Sequence, residues 1–115
     1  MSKRVVFISL PMSGIDDELV KANIERAKEA YLAITKLDIS QVAFLNNIDA
    51  DDNDSIDQHH LPVWYLGEAL KKLSTCDEVF FWGNWRKARG CMIEHEVCTL
   101  YDIPAISIER SGYHG

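Results

Sequence analysis

No stretch of this chain stays apolar for the roughly 20 residues that a membrane-crossing helix needs, so no membrane partner is expected. The apolar run 5–11 is too short for the core and cleavage site of a secretory signal and serves better as a strand. Basic residues are scarce: 12 Lys and Arg stand against 18 Asp and Glu, for a net charge of -6. No basic run interleaves with aromatics, which argues against binding DNA or RNA. Only Cys76, Cys91 and Cys98 carry thiols, an odd set with no C-x-x-C spacing. Free thiols in a reducing cytoplasm fit that pattern better than disulfides or zinc. Repeats and linkers are also missing. What is present is one domain's worth of chain, 115 residues of which 47% are hydrophobic, enough to bury a core.

Strand-like and helix-like patterns alternate along the chain. Residues 4–10 are apolar almost throughout, as in a parallel strand covered on both faces. A loop follows, and Asp16 or Asp17 is placed to cap a helix. In that helix Val20, Ile24, Ala27, Tyr31 and Ile34 recur every three or four residues. Residues 39–45 read as a second strand. Residues 46–60 form an acidic loop without periodicity, long enough in a small domain to suggest a function. Leu61-Pro62 opens a second helix, with Val63, Leu66, Leu70 and Leu73 as its stripe.

The chain then turns on residues 76–98, CDEVFFWGNWRKARGCMIEHEVC. Residues 79–82 are a buried strand, Gly83-Asn84 is a turn, and a helix runs from Met92. Ile93, Val97 and Leu100 form its expected inner stripe. Glu94 falls one residue off that stripe near the helix start, where the helix dipole is expected to hold it ionised. After Pro104, residues 105–108 give a fourth strand and residues 110–115 a polar tail.

This β-α-β-α-β-α-β order predicts an α/β fold: a flavodoxin-like, Rossmann-like three-layer sandwich with a parallel sheet in the order 2-1-3-4. Its topological switch point lies between the first and third strands, where such sheets place their sites. Three loops meet there, 9–14, 46 onward and 83–90, together with Glu94. Other clusters are weaker. Asp49, Asp51, Asn53 and Ser55 have part of a calcium-loop spacing, without its sixth-position Gly, and His60 stands where a Glu is required. His59-His60 lacks partners at zinc spacing, so no metal is assigned. His95 reads as an exposed helix histidine, Glu96 as solvated and Trp82 as core.

Two stretches resemble a known family. FISLPMSG is similar to the Y-I-S/A-G-P-M/I-S/T-G opening of an uncharacterised bacterial and phage branch related to nucleoside 2-deoxyribosyltransferases. CDEVFFWGNWRKARGCMIEHEVCTLYDIP resembles that branch's second signature: C-D-x-V/I, an apolar strand, G-W-x-x-S-x-G-A/C-x-x-E, and a helix closing on a Leu-Pro or Ile-Pro step. The resemblance spans nearly the whole chain. It implies cleavage or transfer at the N-glycosidic bond of a nucleoside or nucleotide. A glutamate attacks C1′, and a base or water then releases the sugar.

The matching glutamate is Glu94. The resemblance implies substrate contacts at Ser9, Pro11, Met12, Ser13 and Gly14, at Asn46, at Glu68, and at Gly83, Trp85, Arg89 and Gly90. It implies no cofactor, and a homo-oligomer whose neighbouring chain completes the pocket. Several positions keep a plainer reading beside the functional one. Glu94 is either the nucleophile or a first-turn glutamate favouring the dipole. Trp85 either stacks on a base or packs. Arg89 either meets an anion or is solvated. Ser13-Gly14 either offers N–H groups to a phosphate or merely turns the chain. The chain departs from the family at Ala88, where relatives have a phosphate-contacting Ser, at Ala69, where they have a sugar-holding Asp beside what is here Glu68, and at Leu10, where they have Gly. These departures motivate a second hypothesis, a catalytically inactive nucleotide-binding or sensing protein. A third is an accessory protein working through protein contacts.

Overall fold

The computed structural model describes residues 2–48 and 60–109. The partial calcium-loop spacing, His59 and the polar tail lie outside the described residues. Four strands, β1 (Arg4–Ser9), β2 (Val42–Leu45), β3 (Glu78–Gly83) and β4 (Ala105–Glu109), alternate with three helices, α1 (Asp17–Thr35), α2 (Leu61–Leu73) and α3 (Arg89–Leu100). The sheet is wholly parallel, in the order β2-β1-β3-β4. Fold class and strand order are those read from the sequence.

The central strands are apolar at successive positions because both faces are covered. On β1, Val6 and Ile8 face the α1 layer while Phe7 faces α2 and α3. On β3, Phe80 and Trp82 face α1, and Val79 and Phe81 the opposite side. All seven side chains are essentially inaccessible. Burying each contributes about 1.5–3 kcal/mol, and truncating Phe7 or Phe80 to Ala should cost about 3–5 kcal/mol. β4, at the sheet edge, instead alternates exposed and half-buried residues.

Local chemistry sets the element ends. The Asp16 carboxylate caps α1 by accepting from the Glu18 N–H at 3.1 Å. α1 stops at Thr35, because Lys36 takes a left-handed conformation (φ 62°). The second strand is shorter than expected. Ile39–Gln41 is a 3-10 turn held by a reciprocal cap, in which the Asp38 side chain accepts from Ser40 and Gln41 returns to the Asp38 N–H. At the amino end of the sheet, Tyr31 from α1 donates to Glu78 of β3 and accepts from Arg4 of β1 at 3.1 Å.

The stripe expected on α3 holds only at Val97, which is half-buried against the core. Ile93 and Leu100 are exposed (44% and 67%), and the helix buries Cys91, Glu94 and Cys98 instead. These sit at i, i+3 and i+7, also a single helix face. α2 departs similarly in its first turn: Val63 is 64% exposed, while Ala69 and Leu73 are the buried residues. Ile34, expected on the inner stripe of α1, is likewise exposed. No helix among the described residues is long and apolar enough to cross a membrane.

Candidate functional site

In a parallel α/β sheet every helix starts at the carboxyl edge of the strands, so loops and first helical turns converge there. At that edge, between the ends of β1 and β3, lies a cavity of about 900 Å³. Its floor is the end of β1 and the loop after it. Its lining also includes Lys87 from the 3-10 turn before α3, Arg89, Gly90, Cys91 and Glu94 from the first turns of α3, and Leu61, Pro62, Tyr65 and Leu66 from the first turns of α2.

Glu94 is the centre of the site. It is 7% exposed, on the inner face of α3, and accepts a 2.6 Å hydrogen bond from the Ser9 hydroxyl at the end of β1. Ser9 meets it because the strand alternation turns Phe7 and Ser9 toward α3. Gly90, one turn earlier on α3, is also part of the contact. A Cβ there would stand 3.7 Å from Glu94 Oε2.

The expected ionised, dipole-stabilised Glu94 is not what the geometry gives. It is the sixth residue of α3, and the dipole's influence falls off within the first turn. Burial dominates and pushes the carboxyl up to about 7, with the Ser9 hydrogen bond pulling in the opposite direction. A carboxyl raised this far toward neutral pH is suited to exchanging a proton there as well as to acting as a nucleophile. The neighbouring thiols are not competitors. Burial, then the Glu94 charge, pushes Cys91 up to about 12, and burial, then Cys76 and Glu94, pushes Cys98 up to about 11. None of the three cysteines is in a disulfide. Among the described residues no group of three or more His, Cys, Asp or Glu stands together to hold a metal ion.

Of the positions singled out in the sequence, Ser9, Pro11, Met12, Ser13, Arg89, Gly90 and Glu94 line the cavity together. The others do not. Trp85 is 1% exposed, stacked on His95 at 4.7 Å and tilted on Phe81 at 5.1 Å, so it has no face free for a base. The 3-10 turn Trp85–Lys87 folds it back under α3 instead of presenting it. The same stacking half-buries His95, which is not the exposed histidine expected. Gly83 and Gly14 shape the backbone, with φ of 83° and 77° that only glycine adopts readily. Asn46 is engaged within the scaffold, its side chain accepting from the Ile48 N–H and its carbonyl from Lys72. Glu68 pairs with Lys71 at 3.1 Å on its own helix.

Sequence reasoning missed the α2 wall and Lys87. Tyr65, half-buried and edge-to-face with Trp64 at 5.0 Å, brings an aromatic residue to the cavity lining from α2. Its carbonyl accepts from Asn47, another cavity residue, at 2.8 Å. The available signal was topological: α2 begins at the carboxyl edge, so its first turn belongs to the mouth and its early apolar residues need not face the sheet. Lys87 and Arg89 form no ion pair among the described residues, and no side chain caps the amino end of α3. Comparison of the chain with family models, with curated proteins and with solved structures finds no match.

Proposed function

We propose that this protein cleaves, or transfers across, the N-glycosidic bond of a nucleoside or nucleotide, with Glu94 as nucleophile. The observation that carries the reading is the buried Glu94 carboxyl at the switch point, held by Ser9 and open to a cavity large enough for a nucleoside. In the reaction a carboxylate oxygen forms a bond to C1′ and the C1′–N bond breaks. Its electron pair leaves with the base, which takes a proton from water. Water, or a second base, then attacks C1′ and returns Glu94 to its starting form. Arg89, Lys87 and the uncapped amino end of α3 suit an anionic group on the substrate. Tyr65 and its apolar neighbours suit a planar base.

The proposed setting is a reducing cytoplasm, and the proposed assembly is a homo-oligomer. Met92, Ile93, Leu100 and Tyr101 are exposed apolar residues on and just after α3, and Ile93 also borders the cavity. Light scattering at micromolar concentration should give twice the 13.1 kDa chain mass or more; a monomer would remove the oligomer from the reading.

The test is base release, followed by chromatography, from a panel of deoxynucleosides and their monophosphates, with and without a second free base. Free base from the wild type but not from Glu94→Gln supports the reading, and new nucleoside only with an acceptor identifies transfer. A specific observation favours one alternative, a nucleotide-binding protein without turnover. Ala69, at the family's sugar-holding position, is wholly buried in the core, and Glu68 beside it is paired with Lys71. Binding detected by thermal shift without base release would select that alternative. Neither binding nor release would sink both.

A further inference from the structure

The two oxygens of Glu94 have different surroundings. Oε1 accepts from the Ser9 hydroxyl at 2.6 Å. Oε2 lies on the side of Gly90, where an added Cβ would make ordinary van der Waals contact with it at 3.7 Å, and both residues line the cavity. We infer that Ser9 is a positioning residue: it fixes Oε1, sets the plane of the carboxyl and so assigns Oε2 as the oxygen that reacts with whatever occupies the cavity. The resemblance implies a substrate contact for Ser9, and the geometry assigns its hydroxyl to the glutamate instead.

Physical chemistry explains why a buried carboxyl needs such a partner. A desolvated carboxylate with no donor is both costly and free to rotate about its last torsion. One short hydroxyl donor lowers that cost and selects one rotamer while leaving the second oxygen unblocked. The Ser9 backbone is fixed where it ends the β1–β3 ladder opposite Phe81, and its side chain is buried there, beside both Glu94 and the Cys91 thiol. The other titratable groups around the carboxyl are few. Cys91 and Cys98 share its helix face and stay protonated, and Asp17, Tyr65, Lys87 and Arg89 border the same cavity. Ser9 is thus the only hydroxyl or amide side chain hydrogen-bonded to Glu94 among the described residues.

The assignment of the reactive oxygen rests on the glycosidic reading; the assignment of Ser9 as the partner that controls the carboxyl does not. The experiment therefore has two readouts. Carbon-13 NMR of the glutamate carboxyls follows the Glu94 titration in wild type, Ser9→Ala and Ser9→Thr, with Glu94→Gln to identify the signal. The pH profile of base release is recorded on the same proteins. Ser9→Ala should move the Glu94 midpoint up by about one pH unit and carry the acid limb of the rate profile with it, a roughly tenfold loss at pH 6. KM should change little, and Ser9→Thr should restore both midpoint and limb.

An unchanged Glu94 midpoint in a folded Ser9→Ala protein overturns the inference, as does a raised KM with the acid limb unmoved. If no protein releases base but the NMR midpoint moves and Ser9→Thr restores it, the positioning role stands and the glycosidic reading falls. Gly90→Ala provides the complementary probe. Its new methyl should lower kcat and leave the Ser9 hydrogen bond intact, whereas equal kcat in Gly90→Ala and wild type would remove the assignment of Oε2.

Discussion

Two glutamates near opposite ends of the sheet, Glu78 on β3 and Glu94 on α3, are each tied to a hydroxyl from another element, but their surroundings differ. At the amino end of the strands, Glu78 takes the Tyr31 hydroxyl and has Arg4 3.8 Å away. At the carboxyl end, Glu94 takes the Ser9 hydroxyl and no cation is paired with it among the described residues. The first arrangement compensates its charge and fastens α1, β1 and β3 together. The second leaves its carboxyl buried without a cation, and that desolvation raises it toward neutral pH. The half-buried carboxylate with a cation thus sits in the scaffold, and the buried one without a cation lines the candidate site.

This contrast can be broken by exchanging the two carboxyls for amides. Glu94→Gln should reduce base release by about ten-thousandfold or more, whereas Glu78→Gln should leave the rate per folded molecule unchanged. A comparable loss in both would mean that the amino end is not merely scaffold.

Stability should respond the other way. The Glu94 carboxyl is raised in the fold from 4.5 to about 7. The folded protein thus holds this proton more tightly than the unfolded chain does. Its contribution is fully present below about pH 4.5 and is lost as pH rises to about 7, amounting to about 3 kcal/mol by pH 8. Glu94→Gln, which cannot ionise, should flatten that part of the curve in denaturant titrations run from pH 4 to 8. It should also be more stable than wild type at pH 8. Parallel curves for the two proteins would show that Glu94 is not desolvated.

The smallest effect concerns the amino-end network. Tyr31→Phe leaves Glu78 and Arg4 to each other and should cost about 1–3 kcal/mol by the same titrations, without moving the pH profile of activity. A shifted profile would show that the two ends communicate.

Much of this architecture was legible in the sequence because strand and helix patterning is dominated by apolar periodicity. The strand order followed from βαβ handedness. What failed was finer. On α3 the apolar reading chose Ile93, Val97 and Leu100, because a glutamate in a buried stripe defeats any rule that sends charge outward. The true inner face is Cys91, Glu94 and Cys98. Of the two readings for Trp85, stacking on a base or packing, the structure gives packing, because the 3-10 turn returns its side chain to the core. Trp85→Ala should accordingly destabilise the protein by about 3–5 kcal/mol. The α2 wall was invisible because its early apolar residues read as core.

The Ser9–Glu94 pair joins residues 85 apart in the chain. Its formation has to wait for β1 to close against β3, which is a long-range parallel pairing and among the slower events in folding. No fragment lacking either strand can carry the site, and any sub-global opening that parts β1 from β3 dismantles it. Amide exchange at residues 7–9 would therefore report how often the protein loses its candidate active centre while the outer helices stay folded.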